Sequence, residues 1–182
     1  SIGNGYFTVS DDATTQPLRY FPRTSTDGPG PSPRILIAAG SSWSYLDNGS
    51  NQGTEWRQPG FNDVAWNNGV AQFGYGDGDE QTLIGYGTNA NNKYVTTYFR
   101  KGFVTGNAGD ITTLTLKLLV DDGATVFLNG SPALHFHVAT NAANTSLASP
   151  EQSQNLEDTW LSLSLDRTLL LEGANTLAVE VH

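Results

Sequence analysis

Apolar residues in this chain come in short runs of strand length, separated by clusters of Gly, Pro, Asn, Asp and Ser. The richest patch spans residues 114–136. Within it, residues 114–120 and 124–128 are two apolar runs joined by Asp121-Asp122-Gly123, and the Asp-Gly step offers the positive φ of a tight hairpin, so the pattern predicts two paired strands. Asn129-Gly130 follows at once as a second turn signal, and a third strand over residues 132–138 should fold back to complete a meander.

The remaining segments show the same rhythm. Near the start, Tyr6, Phe7, Thr8 and Val9 form one candidate strand and residues 18–21 another. Residues 22–33 are rich in Pro, Gly, Ser and Thr, with Pro29, Pro31 and Pro33 alternating, a composition that removes backbone donors and favours an extended path. Residues 1–34 therefore divide off as an extended arm and linker, with a body over residues 35–182. Ile35, Leu36, Ile37, Ala38 and Ala39 are a continuous apolar run closed by Gly40, which predicts a strand buried on both faces. Trp43 and Tyr45 alternate with Ser42 and Ser44, residues 61–66 suit a bend with Phe61 and Trp66 inward, and residues 94–103 read as a long strand. Trp43, Trp56 and Trp66 are expected in the core. Further strands are expected over residues 160–165 and 175–181, with a bend or single helical turn between them, while residues 140–158 form a long Asn, Ser, Ala and Gln loop of the size that often binds.

Asp121 to Gly130, DDGATVFLNG, resembles the hairpin of galactose-binding-domain-like jelly rolls, modules appended to secreted bacterial hydrolases and surface proteins. Residues 45–80, 91–103 and 172–182 fit the same resemblance, which covers roughly residues 40–182. It implies an all-β fold, an antiparallel two-sheet jelly-roll sandwich carrying the N-terminal arm, and a secreted or cell-surface, bacterial setting. It also implies a polysaccharide or cell-surface glycan as partner, although modules of this kind also bind other ligands or brace a neighbouring domain. Arg100 resembles the Arg of a strand in these modules, where it either pairs with a carboxylate and caps carbonyls or holds sugar hydroxyls. In the look-alike modules one more apolar strand follows the equivalent of residues 175–181. The arm strand of Tyr6, Phe7, Thr8 and Val9 is the surplus segment that could take that place, either in its own sandwich or in the sheet of another copy of the chain; the alternative is a closing strand that lies beyond residue 182. The second option would make the protein a structural subunit of a filament or surface assembly.

Composition narrows the functional classes. The 182 residues suit one domain and include no Cys, which removes disulfides, thiol nucleophiles and zinc-thiolate sites together. A net charge of −9 would repel phosphate backbones, so nucleic acid is not expected as a partner, and no apolar run reaches membrane-spanning length. No nucleophile elbow, P-loop, HExxH or recognisable paired-carboxylate motif is present, so the expectation is a non-catalytic binding module.

Three groups of residues are candidates for binding. Tyr75, Tyr86 and Tyr94 could stack on the apolar faces of sugar rings, with Arg100 as a hydrogen-bonding fork. Asp77, Asp79 and Glu80 lie in a Gly-rich acidic loop that could gather oxygen ligands around calcium, although the EF-hand spacing is absent there and in the partial match at residues 47–51. His135 and His137 are two apart, which on a strand would send both rings to one face as a metal pair. Surface histidines beside Phe136 are the alternative.

Overall fold

A computed structural model describes the backbone of residues 6–10 and residues 33–76, 78–149 and 159–182 in full. Among the described residues twelve strands follow in order: β1 Tyr6–Ser10, β2 Ile35–Ile37, β3 Ser42–Leu46, β4 Asn67–Val70, β5 Phe73–Gly74, β6 Thr82–Leu83, β7 Thr97–Thr105, β8 Leu114–Leu119, β9 Ala124–Leu128, β10 Ser131–Phe136, β11 Leu161–Leu165 and β12 Gly173–Val181. Among the described residues the only helical segments are short 3-10 turns at Glu55–Arg57, Ala108–Asp110 and Arg167–Leu169. A six-stranded antiparallel sheet, ordered β10-β9-β12-β7-β3-β4, faces a four-stranded antiparallel sheet ordered β11-β8-β1-β2. The chain is thus an all-β sandwich, as expected. β5 and β6 form a small parallel pair beside it.

The alternation of side chains explains the core. On β12, Leu177, Val179 and Val181 point between the sheets; on β9, Ala124, Val126 and Leu128 do so; on β8, Leu114, Leu116 and Leu118 meet them from the other side. Each of these residues is buried, which is the period of two that a strand imposes. On β11 the Leu residues pack inward and the intervening Ser162 and Ser164 are exposed.

The expected hairpin between residues 114–120 and 124–128 does not form. β8 pairs with β1 and β11, whereas β9 pairs with β10 and β12, so these neighbours in sequence belong to opposite sheets. Asp121-Asp122-Gly123 is therefore a crossover. Gly123 is needed there for space, because a Cβ would stand 2.9 Å from the Phe136 carbonyl, Val138 and Ala148, and its φ is not positive. The Asp122 and Gly123 N–H groups donate to the His182 carbonyl, and His182 N–H donates back to Gly123 at 2.9 Å, which ties the crossover to the end of β12. By contrast, the second half of the expected meander is correct. β9 and β10 form a hairpin through Asn129 and Gly130, both at positive φ.

One further expectation changes. Ile35 is 68% exposed while Ile37 is buried, because β2 is a three-residue edge strand rather than a strand covered on both faces. The arm strand is inside the sandwich: Tyr6, Phe7, Thr8 and Val9 align with Leu119, Leu118, Lys117 and Leu116 of the same chain, and β1 lies between β8 and β2. Within this single chain the arm strand joins its own sheet. The candidate strand at residues 18–21 lies outside the described residues.

Candidate functional site

The outer face of the six-stranded sheet carries a second cluster. Trp56, Trp66, Tyr98, Phe127 and Ala178 pack there, with Leu46 and Phe61 at the margin. Trp56 stands edge-on to Tyr98 and Phe127 at ring-centre distances of 4.8 and 5.8 Å, and Phe61 is edge-on to Trp66 at 5.7 Å. The three Trp residues named from the sequence as core do pack as core, Trp43 on the inner face and Trp56 and Trp66 on the outer.

Arg100 fastens this covering layer. It is 5% exposed; its Nε donates to Asp63 at 2.9 Å, and Nη1 donates to the carbonyls of Trp56 and, at 3.1 Å, Gln58. Its guanidinium lies 5.2 Å from the Phe61 ring centre. These donors are committed inside the protein, so the geometry gives Arg100 the structural role, pairing a carboxylate and capping carbonyls, over that of a sugar-holding fork.

The three tyrosines come together at one end of the sandwich, in different roles. Tyr75 is buried and packs against Tyr86 at 4.6 Å between ring centres, so Tyr75 is part of the core rather than an exposed platform. Lys93 closes over both rings, its Nζ 4.5 Å from Tyr75 and 5.5 Å from Tyr86. Tyr94 is 37% exposed and its N–H donates to the Tyr86 carbonyl at 3.0 Å. Its ring rests on two glycines. A Cβ at Gly49 (φ +73°) would come within 2.4 Å of the ring, and one at Gly87 (φ +92°) within 3.1 Å, so only glycine leaves this seat open. The Asn-rich turn before it folds as the sequence indicates, with Asn89 accepting from Asn91 N–H through its side chain and from Asn92 N–H through its carbonyl, each at 3.0 Å.

Tyr94 lines a cleft of about 470 Å³ together with Asn91, Asn92, Lys93, Asp122, Leu147 and His182. Residues 145, 147 and 148 of the long loop form its far wall. Of the lining, sequence reasoning named Tyr94 and the loop. Asp122 and His182 escaped it because they reach the cleft only through the crossover and the end of β12, neither of which leaves a local signal.

Of the metal candidates in the acidic loop, Asp79 and Glu80 are described. Asp79 is 3.4 Å from the Gln72 amide through each carboxylate oxygen, and Glu80 accepts from Gly78 N–H at 2.9 Å; Asp77 lies outside the described residues. Among the described residues no group of three or more His, Asp or Glu could hold a metal ion. The histidine pair does not share a face either. β10 ends at Phe136, and His137 turns to φ 53° and stacks on Phe136 at 4.0 Å, while His135 faces Thr125. No described helix is long and apolar enough to cross a membrane.

No family model matches the chain, and no curated protein matches it in sequence. Among solved structures, a beta-glucuronidase from an uncultured Clostridium sp. aligns with 78% of this chain at 16% identity and a TM-score of 0.46. The chain spans 21% of that protein's length.

Proposed function

We propose that the chain is a non-catalytic carbohydrate-binding module of the galactose-binding-like kind, working outside the cell or at its surface, with the Tyr94 cleft as its glycan site. The observation that carries this reading is a partly exposed aromatic ring seated on two glycines and lining a cleft with hydrogen-bonding groups. A tyrosine face suits the apolar face of a pyranose, while the amides of Asn91 and Asn92, the Asp122 carboxylate and the Lys93 ammonium suit its hydroxyls. Among the described residues, the acidic side chain lining this cleft is Asp122 and the one lining its neighbour is Glu180.

The test is affinity electrophoresis and calorimetry against soluble cellulose derivatives, xylan, mannan and galactan, in calcium and in chelator. Binding to at least one of them, lost in Tyr94→Ala with the fold intact by circular dichroism, supports the proposal. Absence of binding across the panel, or full binding by Tyr94→Ala, overturns it, and release of reducing sugar would overturn its non-catalytic part.

A further inference from the structure

A second cleft of about 360 Å³ opens on the outer face of the six-stranded sheet beside the first. Its floor is Tyr98, Thr125, Phe127 and Glu180, and its walls are Arg57 and residues 139–144 of the long loop. The relation between the two clefts follows from strand register. Glu180 is opposite Tyr98 and Val181 opposite Thr97, so His182 and Thr96 form the next pair on the same face. Glu180 lines the second cleft and His182 the first. One same-face step separates them, about 7 Å for two residues of strand.

Across that step runs a short strap of the loop. Thr96 Oγ1 donates to the Asn144 carbonyl at 2.7 Å, and His182 Nδ1 donates to the Ser146 carbonyl at 2.8 Å. Asn144 lines the second cleft and Thr145 the first, so the strap is their common wall. Its backbone is bonded directly to residues of the sheet face.

The chemistry of the second cleft suits the same kind of ligand. Arg57 lies 4.4 Å over the Phe127 ring with Nε donating to the Thr54 carbonyl, which fixes its guanidinium plane at the edge of the cleft. Asn51, Thr54, Asn141 and Asn144 add neutral donors and acceptors, and Glu180 adds an acceptor. This mixture suits hydroxyl groups better than a single charged head. Each cleft is toward the small end of the range for ligand sites, and together they suit an oligosaccharide.

We propose that the cleft over Tyr98 and Phe127 is a second subsite for the glycan bound at Tyr94, so that the protein recognises a run of linked sugars crossing the 144–146 strap rather than a terminal sugar. This rests on the Tyr94 cleft being a glycan site. The experiment titrates cello-, xylo- and manno-oligosaccharide ladders, from monosaccharide to hexasaccharide, into the wild-type chain and into Ala143→Trp, which fills the second cleft from an exposed loop position. The wild type should gain about tenfold in affinity from the shortest bound member to the longest in at least one ladder. Ala143→Trp should lose that gain and keep the affinity for the short member. Should Ala143→Trp fail to fold, Asn141→Ala, which trims an exposed side chain, carries the same comparison with a partial loss of the gain. Short-member binding with no gain in the wild type, or a gain that survives in the folded variant, overturns the second subsite and leaves the Tyr94 site standing. If no ladder binds at all, both readings fall.

Discussion

The six-stranded sheet has two faces made by the same strands, and they are closed by different means. Its inner face meets another sheet, and Val126, Leu128, Leu177 and Val179 are buried there among aliphatic and aromatic neighbours. The outer face meets loops. Phe127, Ala178 and Tyr98 are covered by Trp56 and Trp66, which reach them from a 3-10 turn and a bend, and the cover is held by one buried guanidinium. Two sheets exclude water over their whole overlap because their backbone donors and acceptors are already paired. A loop cover must satisfy its own carbonyls, and Arg100 does this for Trp56 and Gln58 while Asp63 balances its charge. The loop cover is also incomplete, and where it stops the clefts begin. Stability belongs mainly to the inner face, and the proposed recognition belongs to the outer.

Leu177→Ala on the inner face should break that division most severely, lowering stability by about 3 kcal/mol because a fully buried leucine leaves a cavity. Denaturant unfolding measures it, and the folded fraction should bind as the wild type does. On the outer face, Arg100→Met should cost about 2 kcal/mol, since two carbonyls lose their donor and Asp63 loses its partner. Here the division is tested by hydrogen exchange: amides of residues 55–66 should exchange faster while those of β8 and β9 hold. Equal loosening everywhere would show that the two faces are one cooperative unit.

Gly49→Ala should cost about 1 to 2 kcal/mol, because its φ is positive and the new methyl would enter the Tyr94 ring. It should also weaken glycan binding by displacing the ring. Tyr94→Ala sharpens the contrast, with a stability change within about 1 kcal/mol for a partly exposed side chain and loss of binding in calorimetry. The smallest effect is expected at Glu172. Its carboxyl is held below the ordinary value of 4.5, first by the Ala108 N–H and then by the Asn107 N–H. A depressed folded value stabilises above the unfolded one, so Glu172→Gln should slightly lower the melting midpoint at neutral pH. The difference should fade as the pH falls below 4.5 through the folded value.

Much of the inner face is legible in the order of residues. The Leu-rich run of β8, the alternation of β11, the Asn129-Gly130 hairpin and the pairing-competent arm all follow from local rules, because side-chain period and turn chemistry act over a few residues. The three tryptophans are legible as core for the same reason that large apolar side chains rarely stay wet. Which sheet each strand joined is a different matter. Asp121-Asp122-Gly123 satisfies a hairpin turn and a crossover equally well by composition, and the choice falls to β12, whose long edge accepts β9 on one side and β7 on the other and so draws β9 away from β8. Exposure of a single aromatic is settled in the same non-local way. Tyr75, Tyr86 and Tyr94 are equivalent candidates in sequence, yet Lys93 and the core claim the first two, and Gly49, 45 positions earlier in the chain, leaves room for the third. The clefts themselves exist only where strand register places Glu180 beside Tyr98 and brings the distant 139–148 loop down onto Thr96 and His182. Local sequence determines which segments are strands and which residues prefer burial; the competition among edges for partners, which no local window contains, decides what is left open to bind.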